Sequence, residues 1–221
     1  GDNIRATLYA TVDGVEISDC VAEYSVRTYC TNALAKNPEQ KVVTMISDLL
    51  VYGAKAQIYT DYNTDDLVTD GLDLTPSTFT ALDESYDKMS VTGTADAAVR
   101  YSAATLVLSN KVNLRLTVRT ADPSAYTYTV NANGVDTVYT GEDLVKVSDG
   151  VYYLYFDQLK ATGFDSVVTA TIQRDGQTIS QTVTYSVNTY IYRNQNTEDV
   201  AIRELLEAIF NYGRSAAAMV N

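Results

Sequence analysis

Tyr24-Ser25-Val26-Arg27-Thr28-Tyr29 returns near the other end of the chain as Tyr185-Ser186-Val187-Asn188-Thr189-Tyr190. Ahead of each copy lies an alternating run and then Asp-Gly: Ala6-Thr7-Leu8-Tyr9-Ala10 with Asp13-Gly14, and Val168-Thr169-Ala170-Thr171-Ile172 with Asp175-Gly176. Apolar residues at every second position mark a half-buried strand. Asp-Gly between two such runs marks a hairpin, because glycine tolerates the positive φ of the turn. After Tyr-Ser-Val the period changes. Val26, Tyr29, Cys30, Ala33 and Leu34 fall at helical spacing, as do Val187, Tyr190 and Ile191. Ser25 and Ser186 then stand at the N-cap, where a hydroxyl accepts from a free backbone N–H. A longer helix follows in each copy, with Pro38 suited to one first turn and Asn196-Thr197-Glu198-Asp199 supplying cap and acids to the other.

The two long helices match along their apolar stripes. Val42, Met45, Ile46, Leu49, Gly53 and Ala56 form one; Ile202, Leu205, Leu206, Ile209, Gly213 and Ala216 form the other. Each is the i, i+3, i+4, i+7 pattern of a helix that buries one face. Both end in Tyr-Gly-x-x-Ala, at Tyr52 and Tyr212. A glycine inside a helix costs about 1 kcal/mol against alanine. Its recurrence on the buried stripe predicts close packing against another element, the hairpin or the short helix, with a ligand contact as the alternative.

Between the copies the pattern differs. Residues 60–82 are acidic and turn-rich and read as a linker. Strands are expected at 88–92, 99–108, 112–119, 126–130, 135–139 and 151–156, with turns at Asn133-Gly134 and Asp149-Gly150. With the second hairpin this makes about eight closely spaced strands, the rhythm of an antiparallel β-sandwich of immunoglobulin-like type. The fold class is therefore α+β: a sandwich with a duplicated β-hairpin plus helix-pair unit at both ends. The expected domains are 1–75, the first hairpin and helix pair, and 76–221, the sandwich ending in the second; packing of the two as one body stays open. The first hairpin is expected to pack on something within the chain, since an isolated hairpin is marginal in water.

Composition narrows the function. Of 221 residues 46% are hydrophobic, enough for a core, and the net charge of -12 with no basic cluster along the sequence argues against nucleic acid and anionic lipid as partners. No apolar run is long enough to cross a bilayer. The opening Gly1-Asp2-Asn3 reads as an expression start, so a signal peptide and anchor are expected elsewhere in a larger parent protein with other domains. Acidic, Tyr/Thr-rich, Cys-poor usage suits a secreted bacterial module. Cys20 and Cys30 invite a disulfide, but a bridge needs Cα atoms within about 7 Å, and five extended residues after Cys20 cover roughly 16 Å. Two free, mostly buried thiols are the simpler expectation.

Taken together, Tyr24-Ser25-Val26-x-Thr28-Tyr29, the run Leu49-Leu50-Val51-Tyr52-Gly53-Ala54-Lys55-Ala56-Gln57 and Tyr62-Asn63-Thr64-Asp65-Asp66-Leu67 resemble repeat modules of large secreted or cell-surface proteins of Gram-positive gut anaerobes. Ala104-Thr105-Leu106-Val107-Leu108 with Val112-Asn113-Leu114-Arg115, and Tyr185-Ser186-Val187 with Tyr212-Gly213-x-x-Ala216, are similar too. The resemblance covers most of the chain. It implies an extracellular or cell-surface location and no established activity; such modules accompany adhesins and carbohydrate-active enzymes. It carries over no catalytic residue.

The absence of histidine removes Ser-His-Asp and Cys-His nucleophile systems and His-based zinc sites. There is no P-loop and no Gly-x-Gly-x-x-Gly. Among 28 acids a close carboxylate pair is inevitable, so it signals nothing. Asp61, Asn63 and Asp65 place oxygens at alternate positions like the start of a calcium loop. Asp66 stands where the turn glycine belongs, and Leu72 where the closing acid belongs, so no cofactor is expected, with calcium the one alternative. The other candidates are aromatic. Tyr153 and Tyr155 share one face of a strand, with Tyr152, Leu154 and Phe156 on the other; Tyr126 and Tyr128 share a face of another strand. If these faces coincide they form a sugar-stacking or adhesive platform. The expected function is a non-catalytic extracellular module for adhesion or carbohydrate attachment, its partner a glycan or a host or bacterial surface component. The alternatives are a structural spacer without ligand and, third, a glycosidase-like enzyme.

Overall fold

The computed structural model describes residues 4–108 and 112–220, with the backbone alone at 8–10, 12 and 16–20. The chain is mixed α+β, with antiparallel sheets and four α-helices among the described residues. It divides into two compact units, Gly1–Ser77 and Thr78–Asn221.

In the first unit β1 (Ile4–Val12) and β2 (Val15–Tyr24) pair antiparallel around Asp13 and Gly14, both at positive φ. Ser25 caps α1 (Val26–Leu34), its hydroxyl accepting from the Thr28 N–H at 3.0 Å. The long helix α2 (Gln40–Thr60) starts after Glu39, so Pro38 stands ahead of the cap, not in the first turn. Cys30, Ile46, Leu50, Ala54 and Val68 make the core of this unit. Cys30 is a free thiol, its pKa pushed up by burial; the Cys20 side chain lies outside the described residues. Among the described residues β1 and β2 pair with no other strand, and the side chains of Ile4, Val15, Val21 and Tyr24 are exposed.

The stretch read as a linker is corrected, up to Ser77. α2 buries three polar side chains, Ser47, Asp48 and Gln57, and buried polar groups need partners. The Gln57 amide donates to the carbonyls of Asn63 and Asp66 and accepts from the Val68 N–H. Ser47 accepts from the Thr75 N–H, and Asp48 accepts from the Ser77 N–H and hydroxyl at 2.7 and 2.8 Å. The chain after α2 is thus bonded back onto it.

The second unit holds two sheets. In one, β3 (Ser90–Thr92), β12 (Thr182–Tyr185), β10 (Val168–Arg174), β6 (Thr127–Ala132) and β7 (Val135–Tyr139) lie in that order, with β11 (Gln177–Thr178) on β10. In the other the order is β4 (Val99–Leu108), β5 (Val112–Thr120), β9 (Val151–Phe156) and β8 (Val145–Ser148). One buried cluster takes Val99, Leu114, Leu116, Val118, Leu154 and Phe156 from the second sheet and Tyr128, Val130, Val168, Ala170, Ile172 and Val183 from the first. The Tyr101 hydroxyl spans the two, donating to the Thr171 carbonyl. Sequence pattern missed β8, a short and fully exposed edge strand.

Ser186 caps α3 (Val187–Asn194) and Asp199 caps α4 (Val200–Ala217). The Gln195 side chain brackets Leu82 through both its N–H and its carbonyl. The Phe210 ring meets Phe79 and Tyr86 edge-on at 5.6 and 5.7 Å. The two matched helix glycines are packing positions, but neither is packed by the hairpin or by the short helix α1 or α3 that precedes it. A Cβ on Gly53 would meet Val68 Cγ2 at 3.0 Å, and one on Gly213 would meet Phe164 Cδ2 at 2.9 Å. Each helix is approached by a connecting segment. Gly213→Ala should therefore lower stability by about 1 kcal/mol, overpacking against Phe164 outweighing the gain in helix propensity. Urea denaturation checks this, and Phe164→Leu combined with Gly213→Ala should recover part of the loss.

Candidate functional site

The outer face of the four-stranded sheet is set by the needs of its inner face. Along β5, Leu114, Leu116 and Val118 go into the core, so strand alternation turns Asn113, Arg115, Thr117 and Arg119 outward. On β9, Leu154 and Phe156 go in while Tyr153 and Tyr155 stand half-buried on the outside. Register then sets neighbours: Arg115 opposes Tyr155 and Thr105, Thr117 opposes Tyr153, and Arg119 opposes Arg100.

The Arg115 guanidinium lies 4.3 Å from the centroid of the Tyr153 ring, a cation–π contact. Tyr155 meets Tyr153 edge-on at 6.1 Å and 87°. Two side-chain atoms here, Asn113 Oδ1 and Arg115 Nε, are buried without a hydrogen-bond partner among the described residues. An unsatisfied buried polar atom costs about 1–3 kcal/mol, which the packing of this sheet does not require. Charge is unusual as well. β4, β5 and β9 carry Arg100, Arg115 and Arg119 and no carboxylate, in a chain of net charge -12. Arg100 and Arg119 face each other across the ladder, a like-charge pairing that destabilises a sheet. Arg115 and Arg119 stand four residues apart on the outer face of β5, and antiparallel pairing with β4 sets Arg100 opposite Arg119.

The four candidate tyrosines do not share a face. Tyr128 lies on β6 of the other sheet and Tyr126 just ahead of that strand, and both are buried. The Tyr128 hydroxyl donates to the Pro123 carbonyl, and the Arg174 guanidinium donates to the Tyr126 hydroxyl at 2.8 Å while lying over its ring. In a Tyr-Thr alternation either set can face inward; here the larger, more apolar rings take the core. The platform is reduced to Tyr153 and Tyr155, and sequence reasoning missed Arg115, Arg100 and Arg119 beside them.

Asp61, Asn63 and Asp65 form the end of α2. Asp61 closes the helix in the left-handed region at φ 52°, and Asn63, also at positive φ, donates its side-chain amide to the Asp66 carbonyl. Asp61 and Asp65 are exposed. No group of three or more His, Cys, Asp or Glu side chains among the described residues could hold a metal. A cavity of about 450 Å³ also lies in the second unit, lined by Phe164, Asn188, Phe210, Gly213 and Arg214 among others; its walls are largely those that seat Phe164 against α4. No helix among the described residues is long and apolar enough to cross a membrane.

Comparison with protein-family models, with curated proteins and with solved structures finds no match to this chain.

Burial raises the phenols of Tyr101 and Tyr128 well above the ordinary tyrosine range and pushes Tyr185 up to about 12. A phenol with a raised folded-state pKa contributes stability that is full below the unfolded value of about 10 and is lost as pH rises toward the folded value. Alkaline titration followed at the phenolate band should therefore show Tyr101 and Tyr128 ionising only as the second unit unfolds, and stability should fall above about pH 10.

Proposed function

We propose that this chain is a non-catalytic module of a secreted or cell-surface bacterial protein, and that the outer face of β4-β5-β9-β8 attaches it to an acidic carbohydrate. The observation that carries the reading is Arg115, stacked on Tyr153 beside Tyr155, with no ion pair or hydrogen bond among the described residues. Aromatic rings stack on the apolar faces of sugars, and guanidinium groups take carboxylate or sulfate in paired hydrogen bonds. Arg100 and Arg119 extend the same cationic face, and their mutual repulsion is relieved by an anion between them.

The framework reading is an immunoglobulin-like sandwich. Its support is strand order: β4-β5-β9-β8 runs as A-B-E-D, and β7-β6-β10-β12 runs as C′-C-F-G, with β3 as an added edge. Tyr128, on the strand in the C position, is fully buried, where immunoglobulin domains place a core tryptophan. The duplicated-unit reading rests on the matched caps at Ser25 and Ser186 and the matched glycines at 53 and 213. The hairpins themselves differ: Tyr24 opposes Ile4, whereas Tyr185 opposes Val168, and the second copy splits its return strand into β11 and β12.

Binding to a uronic-acid polymer, a sulfated polysaccharide and a neutral glucan tests the function. Acidic polymers should bind in a salt-sensitive manner. Tyr153→Ala and Arg115→Ala should each weaken binding about tenfold, roughly 1.4 kcal/mol, with the melting temperature within a few degrees of wild type. Binding to the neutral polymer alone would refute the acidic ligand. Binding to none of them would favour a structural spacer.

A further inference from the structure

Several positions that are buried in the second hairpin and the start of its helix are open in the first, although Ser25 and Cys30 are buried as Ser186 and Ile191 are. Tyr185 is 4% exposed and Tyr24 49%; Val187 is 1% exposed and Val26 59%. Val168 and Val183 are in the core, while Ala6 and Ala22 are exposed. In the second unit β10 is flanked by β6, and β12 by β3. In the first unit β1 and β2, nine and ten residues long, pair with no other strand among the described residues. Long exposed edges with apolar side chains are what soluble sheets ordinarily avoid.

The helix cap repeats the contrast. The Ser186 and Thr189 hydroxyls lie 3.0 Å apart, and Thr189 Oγ1 also accepts from the Lys88 N–H and donates to the Tyr86 carbonyl, tying α3 to the segment that enters β3. Ser25 and Thr28 have the same 3.0 Å pair.

We propose that the β1–β2 hairpin and the start of α1 are a receiving surface for a segment of the β3–β9 kind, supplied from outside residues 1–221. A strand like β6 would pair with β1 and a strand like β3 with β2. The chain entering that strand would meet the Thr28 hydroxyl, and the core face of the added sandwich would cover Tyr24 and Val26. The second unit says what the occupant is, because it shows matched residues with their cover in place. The inference rests on reading the two copies as one unit and is independent of carbohydrate binding.

The test extends the full chain by a second copy of residues 78–164 placed directly ahead of residue 1. Amide hydrogen exchange across residues 4–24 should slow at least a hundredfold relative to the 221-residue chain. Tyr24→Asp with Val26→Asp in the extended chain should restore fast exchange there and leave residues 168–185 as protected as before. Exchange at 4–24 as fast as in the unextended chain would overturn the proposal, whether the added strands fold elsewhere or not at all. So would protection that the two aspartates leave intact. Glycan binding measured on the same proteins reports separately on the outer-face reading.

Discussion

The second unit depends on the burial of one hairpin. β10 and β12 meet β6 on one side and β3 on the other, and Val168, Ala170, Ile172 and Val183 close the core against Leu114, Leu116, Val118 and Leu154 of the facing sheet. Two strands alone expose one apolar face and two rows of backbone groups; flanking strands and a facing sheet satisfy both needs. The same hairpin runs through Tyr185 into the Ser186 cap, so the direction of α3 follows from the strand that precedes it. Gln195, Arg193 and Thr189 then bind that helix to residues 82–89, the chain that leads into β3.

Filling the core also determines what the outer surface carries. Strand period two means that placing Leu114, Leu116 and Val118 inward puts Arg115 and Arg119 outward with no further choice. Register then brings Arg115 beside Tyr153 and Tyr155, and Arg100 against Arg119. The stability of the sheet does not need those residue types at those places. Like charges face one another and two buried polar atoms have no partner. A stabilising core and an outer face of arginines and tyrosines are thus written on alternate residues of neighbouring strands.

Local signals were legible because they are short-range. Serine caps, Asp-Gly turns and the 3.6-residue stripes of α2 and α4 are decided within a few residues, and they appear where the sequence predicts them. The packing role of Gly53 and Gly213 was also legible, since glycine on a buried helical stripe has few other uses. Their partners were not: Val68 and Phe164 lie in connecting segments without periodicity. The role of 61–77 was hidden for the same reason. Its acidic, turn-rich composition resembles a linker, and only the buried Ser47, Asp48 and Gln57 side chains of α2 reveal that its backbone is bonded.

By itself, the sequence determined the α+β class, the matched ends, the division of β9 into two faces and the absence of histidine chemistry. All of these are properties of composition or of spacing along one element. Tertiary structure alone decided that Tyr126 and Tyr128 face inward, because a Tyr-Thr alternation does not say which side meets the core. It alone set Arg100 opposite Arg119 and Arg115 beside Tyr153, because register is a relation between strands and not a property of one strand. It alone distinguished the two hairpins, one covered and one open, since like sequences differ in burial only through what is packed against them.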